Sequence, residues 1–129
     1  MTDRPNEHLM RLITGRWVTK TIATLARLRV ADAIALEPRS TAELADELQL
    51  HEPSLYRVMR AAASVGVFHE VEPRTFALTP TAELLRADHP RSMREIVLFF
   101  TSPWGERCWD ALEQTVRSGI TAHQLVFGQ

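Results

Sequence analysis

Residues 40–78, STAELADELQLHEPSLYRVMRAAASVGVFHEVEPRTFAL, restrict the possible folds more than any other stretch of this chain. Ser40 with Glu43 three residues on fits a capping box, in which each side chain satisfies a backbone donor that the helix start leaves free. Leu44, Ala45 and Leu48 then recur at helical spacing, with Glu43, Asp46 and Glu47 on the other side. A turn falls at 49–52, and Pro53 suits the first position of a second helix, where its missing N–H costs nothing. Leu55, Val58, Met59, Ala62 and Val65 form that helix's apolar stripe, and Gly66 is a ready left-handed stop. Beyond Gly66 the period changes from helical to alternating. Residues 67–71 and 75–78 read as two strands joined through Glu72-Pro73-Arg74. Helix, turn, helix and hairpin make a winged helix-turn-helix.

Such a unit needs companions to bury its apolar side. Leu9, Met10, Leu12 and Ile13 predict a helix stopped near Gly15, and 17–28 predicts a second with Val18, Ile22, Leu25 and Ala26 on one side. A short helical turn follows over 31–36. These segments carry much apolar surface for helices at a chain end. They either cap the winged unit within one monomer or pack against a second copy. Thr79-Pro80 begins another short helix through Leu84 and Leu85, a cap with proline at the first position.

The last third reads as helical again. Ser92 with Glu95 repeats the capping-box pattern, with Met93, Ile96, Val97 and Phe100 on one face. Ser102-Pro103 starts a helix expected to run to about Ser118 and to stop at Gly119. Its apolar residues fall in two stripes: Trp104, Cys108 and Ala111, then Trp109, Leu112 and Val116. A helix apolar on most of its circumference is buried in a larger body or touches two partners. The TAHQLVFGQ that follows reads as too short to cover a second face.

Charge and chemistry narrow the function. Between residues 40 and 78 stand three arginines (Arg57, Arg60, Arg74) and six carboxylates, a poor balance for a reader of phosphates. The second helix offers only Arg57 and Arg60 as strong base readers, and the wing tip EVEPRT carries two acids. The whole chain has a formal net charge of −1. The single cysteine, Cys108, allows no internal disulfide and lies on the Trp104 stripe, so a buried structural thiol is expected. His8, His51, His69, His89 and His123 are scattered without ligand spacing, so no metal site is expected. No apolar run has the length of a signal peptide or a membrane span, which makes a cytoplasmic protein the expectation.

The pieces LRVADAIA, TAELADELQLHEPSLYRVMRAAASVGVF, FALTPTAELLR and PWGERCWDALEQTVRSG leading into FG carry a resemblance. In this order they resemble the N-terminal domain of bacterial small-molecule O-methyltransferases, which depend on S-adenosylmethionine and act on aromatic hydroxyls. The resemblance implies a homodimer through intertwined N-terminal helices, and a winged unit that serves as scaffold rather than DNA reader. It also implies that the helix opening at Pro103-Trp104 lines the substrate cavity, with Trp104 and Trp109 as its tryptophans and Phe99, Phe100 and Arg107 as neighbours. The expected organisation is 1–38 dimerisation helices, 39–89 winged helix-turn-helix, and 90–129 helices leading towards a catalytic domain absent from this sequence. One departure is Arg29, where the family usually has glycine. Another is that Gly15, Gly66, Gly105, Gly119 and Gly128 lie far apart, and no βαβ pattern is visible. A cofactor loop needs neighbouring glycines for close backbone approach, so no cofactor site and no catalytic residue are expected here. A winged-helix transcriptional regulator and a stand-alone small-molecule binding module are the alternative readings.

Overall fold

Local caps decide where several helices begin. Ser40, Thr79 and Ser102 each accept a hydrogen bond from the backbone N–H three residues on, opening α4 (Thr41–Leu48), α6 (Pro80–Glu83) and α8 (Pro103–Asp110). At Ser40 the reciprocal half of the box takes another form, with its hydroxyl also donating to Glu43 Oε1 at 3.1 Å. The computed structural model describes residues 4–128. Ahead of the winged unit come α1 (Pro5–Ile13), α2 (Gly15–Arg27), α3 (Val30–Ala33) and the two-residue strand β1 (Arg39–Ser40). After α4 come α5 (Glu52–Ser64), β2 (Phe68–Glu72) and β3 (Thr75–Leu78). The chain continues with α6, then α7 (Arg94–Phe100), α8, α9 (Leu112–Ser118) and α10 (Ala122–Phe127).

The winged helix-turn-helix forms as expected. Gln49 takes a left-handed conformation between the two helices, and Pro53 falls in the first turn of α5 one position behind Glu52. Gly66 supplies the left-handed stop at φ +80°, where a side chain would strain the backbone. The sheet has a third member that the alternation did not announce. β1 pairs antiparallel with β3, Arg39 opposite Phe76 and Ser40 opposite Thr75, giving the order β1-β3-β2. On the other side Phe68 lies opposite Leu78 and Glu70 opposite Phe76, with a bulge before Glu72.

One core joins these elements. Leu25, Val30, Leu44, Met59, Phe68 and Phe76 are its largest fully buried apolar side chains, with Leu55, Ile34 and Leu85 around them. Tyr56 meets Phe76 edge-on at 6.1 Å between ring centres. A polar clasp holds the wing on α5. Tyr56 Oη donates to Glu70 Oε2 (2.9 Å), which also accepts from the Arg74 backbone N–H (2.8 Å). The Arg74 guanidinium donates to both oxygens of Glu52 (2.6 and 2.8 Å), and the buried Thr41 hydroxyl donates to the same carboxylate. These bonds hold both carboxyls below their ordinary value, chiefly through Thr41 for Glu52 and through the Arg74 N–H for Glu70.

The first helix stops near Gly15 as expected: it ends at Ile13, the Thr14 hydroxyl donates to Met10 O at 2.7 Å, and Gly15 opens α2. Three expectations need correction. Ser92 is not the N-cap of α7, which is Met93; the Ser92 hydroxyl accepts from the Arg94 N–H at 3.2 Å, and its own N–H, which Glu95 was expected to take, donates to His89 O at 3.0 Å. The helix from Pro103 ends at Asp110, and a new one begins at Leu112; no feature of the sequence at Ala111 explains the break. The segment after Gly119 is sufficient to form α10, closed by a full capping box between Thr121 and Gln124. That helix folds back onto α8. Among the described residues no helix is long and apolar enough to cross a membrane.

Candidate functional site

Two arginines fix α7 and α8 against the end of α2. Arg94 is buried and donates its Nε–H to Ala26 O at 3.0 Å, using a carbonyl in the last turn of α2. Arg27 reaches the other way, donating to the carbonyl (2.6 Å) and hydroxyl (3.1 Å) oxygens of the buried Thr101 that ends α7. α8 then starts close by. A Cβ on the buried Gly105 would lie 3.0 Å from Phe100 O, so a side chain here would press the end of α7 back by a few tenths of an ångström. Farther along, Glu106 receives Lys20 at 3.0 Å and Arg16 at 3.5 Å from α2. The Lys20 hydrogen bond holds the Glu106 carboxyl below its ordinary value, aided by the charges of Arg16 and Arg27.

With α8 so placed, the five expected site residues divide between two flanks. Trp104 stands at the centre of an aromatic cluster. Its ring stacks on Phe127 (6.0 Å, 11° between planes) and lies 5.8 Å from Phe99 and 6.1 Å from His123. The Arg107 guanidinium sits 5.2 Å from the centre of the Phe127 ring, in cation–π range. Trp109, five residues along the helix, faces elsewhere. It borders a depression with Phe100, Arg16, Thr19 and Glu106. Phe99 and Phe100 touch each other at 5.8 Å and link the two flanks. The structure therefore brings Trp104, Phe99 and Arg107 together and sets Trp109 and Phe100 apart.

His123 and Phe127 escaped the sequence reading. Their signal was the T-x-x-Q start at Thr121 and the apolar run ending at Gly128, which together announce one more helix. The Trp104 cluster is only partly covered, Trp104 being 42% and Phe99 58% exposed. Planar aromatic faces, a cation and an imidazole at one edge can bind a flat aromatic molecule by stacking. Among the described residues no group of histidines, cysteines and carboxylates could hold a metal ion.

A family model described as the O-methyltransferase dimerisation domain matches residues 10–88, from the end of α1 past α6. The chain belongs to that family. It is 41% identical over 123 residues to a phenazine O-methyltransferase of Lysobacter antibioticus, covering 93% of this chain and 35% of that protein. It is 35% identical to an 8-amino-8-demethylriboflavin N,N-dimethyltransferase of Streptomyces davaonensis, over 97% of this chain and 38% of that protein. The fold superposes on the crystal structure of LaPhzM with a TM-score of 0.91 and 38% identity, over 98% of this chain and 38% of that one. The chain thus spans little more than a third of the length of the curated relatives it matches. Within this dimerisation domain, Arg29 adopts φ +59° in the left-handed region. The glycine that the resemblance led us to expect there has a steric reason, and this chain holds the same turn with an arginine.

Proposed function

We propose that this chain is the subunit-association and substrate-wall part of an S-adenosylmethionine-dependent methyltransferase that acts on a small, flat aromatic compound. Its organisation is residues 1–38 for association, 39–89 as scaffold, and 90–129 leading to the catalytic portion, in a homodimeric cytoplasmic enzyme. The observation that carries the reading is the state of the first two helices. α1 buries none of its residues, and Leu9, Met10, Leu12, Ile13 and Trp17 are each more than half exposed. A nine-residue helix is marginal alone in water, so this face calls for a partner. The winged unit serves as a rigid bracket whose core sets α2, α7 and α8 in place.

The substrate wall is the Trp104 flank, with Phe99 and Arg107 from the expected set and Phe127 and His123 added. Ring stacking suits the fused or single aromatic systems named for the relatives. The methyl donor is S-adenosylmethionine, bound by residues other than these, since the described residues include no parallel βαβ unit and no clustered glycines. Light scattering over a range of concentrations tests the association. A dimer is expected, and a monomer at the highest concentration would refute it. Calorimetric titration of the chain with S-adenosylmethionine should give no binding heat. A DNA-reading role is disfavoured by the ion pairs: Arg74 at the wing is held by Glu52, and Arg39 by Glu43 and Glu47. Duplex DNA should accordingly not be retained at physiological salt.

A further inference from the structure

The Trp104 flank of α8 carries a positive charge that its own chain does not neutralise. Arg107 is exposed, and its guanidinium forms no ion pair or hydrogen bond with any described residue. Elsewhere around α8 the cations are engaged. Arg16 and Lys20 hold Glu106, Arg27 holds Thr101, and Arg94 holds Ala26 O. The nearby carboxylates do not serve Arg107 either. Glu106 is taken by α2, Glu95 lies 3.4 Å from the guanidinium of Arg94, and Asp110, three residues after Arg107, forms no ion pair with it. His123 joins the flank from α10, exposed and with its ring nitrogens bonded to no described residue.

We propose that the substrate wall takes a flat aromatic acid, a ring bearing a carboxylate, and that Arg107 reads the negative charge. The proposal rests on the substrate-wall reading above and names the class of compound that fits it. Three observations favour an acid. The first is span. Arg107 follows Trp104 by three residues on one helix, so their Cβ atoms stand about 5–6 Å apart. A ring laid against the open parts of Trp104 and Phe99 can therefore bring a carboxylate on its edge to the guanidinium. The second is donor supply. The Phe127 ring limits where the guanidinium swings but offers it no oxygen acceptor, so its N–H donors are left to a ligand or to water. A planar guanidinium matches a carboxylate with two parallel hydrogen bonds, a geometry that lysine lacks. The third is scale. One or two cations beside three aromatic rings suit a small acid, whereas a polyanion needs a wider field of positive charge.

The test compares 2-naphthoate with its neutral isostere 2-naphthamide, each titrated into the chain by calorimetry. The acid should bind about tenfold more tightly at low salt, the scale of a charge-assisted hydrogen-bonded pair at a partly open site, and the preference should shrink as salt is added. Arg107→Gln should bring the acid down to within about twofold of the amide, while Arg107→Lys keeps part of the preference. Both ligands should shift the indole N–H signal of Trp104, identified by its loss in Trp104→Phe, which locates them on the wall. Circular dichroism checks that the variants are folded, as the exposed position of Arg107 favours. Equal binding of acid and amide, or a preference that survives Arg107→Gln, removes the charge-reading role of Arg107 and leaves the wall standing. If neither ligand moves the Trp104 signal, the wall and the role of Arg107 fall together.

Discussion

The middle of the chain and its two ends both carry apolar helix faces, and they fold very differently. Residues 23–85 place Leu25, Leu44, Met59, Phe68 and Phe76 out of contact with water. α1, α9 and α10 contain no buried residue at all, and α7 and α8 bury only Arg94 and Gly105. The difference lies in where the partner for each apolar face is found. In the middle, β3 and α5 supply it within the chain, so burial is complete in one copy. At the ends, Leu12, Trp17, Phe100 and Trp109 stay mostly open to solvent despite their contacts with neighbouring side chains. Hydrophobic pattern alone does not separate core from interface; the three-dimensional count of neighbours does.

Four measurements break or sharpen this contrast. Phe76→Ala should cost about 3–5 kcal/mol in denaturant unfolding, as the removal of a fully buried ring does. Phe100→Ala, measured at concentrations where the chain is monomeric, should stay within about 0.5 kcal/mol of the parent. Equal losses at the two positions would erase the distinction between middle and ends.

Gly105→Ala comes next, since it tests the close approach of α8 to the end of α7. Its methyl would press on Phe100 O at 3.0 Å, and a destabilisation of about 1–2 kcal/mol is expected despite alanine's better helix propensity. A gain in stability would mean that α8 is free to move away from α7.

Arg29→Gly should raise stability by about 0.5–1 kcal/mol, because glycine holds φ +59° without the clash that a Cβ brings. Arg29→Ala should not, since it keeps the Cβ and loses the 3.5 Å ion pair to Asp32. If both variants lose equally, the ion pair outweighs the backbone strain.

The smallest effect concerns the wing clasp. Glu52 and Glu70 have folded-state pKa values below the ordinary 4.5, so their contribution is fully present above that pH. It is lost as the pH falls through the lower folded-state values. Acid titration followed by the amide signals of β2 and β3 should show the wing loosening below pH 4.5, and the Glu52→Gln/Glu70→Gln variant should lose that dependence.

Much of the fold was legible from local chemistry. The hydroxyl caps at Ser40, Thr79 and Ser102 and the left-handed Gly66 act within four residues of themselves, so sequence reveals them. β1 was invisible because two residues have no period; only pairing with Phe76 and Thr75, more than thirty positions on, makes Arg39 and Ser40 a strand. Ser92 misled because its N–H is taken by His89 O, which leaves no donor for Glu95 to close the expected box. For the candidate site, the resemblance supplied Trp104, Phe99 and Arg107 together with Trp109 and Phe100. It could not divide them, since the division depends on how α8 rolls against α2 and α7.

By itself, then, the order of residues determined the starts of α4, α6 and α8, the turn of the winged unit and the chain's place among methyltransferase dimerisation domains. These rest on contacts between near neighbours and on a pattern that survives without coordinates. Tertiary structure alone decided which tryptophan joins the aromatic cluster and which stays on an open flank. That choice is set by the Arg27–Thr101 and Arg94–Ala26 bonds and by the close passage of Gly105, contacts that span up to 74 residues or depend on a carbonyl's position in space.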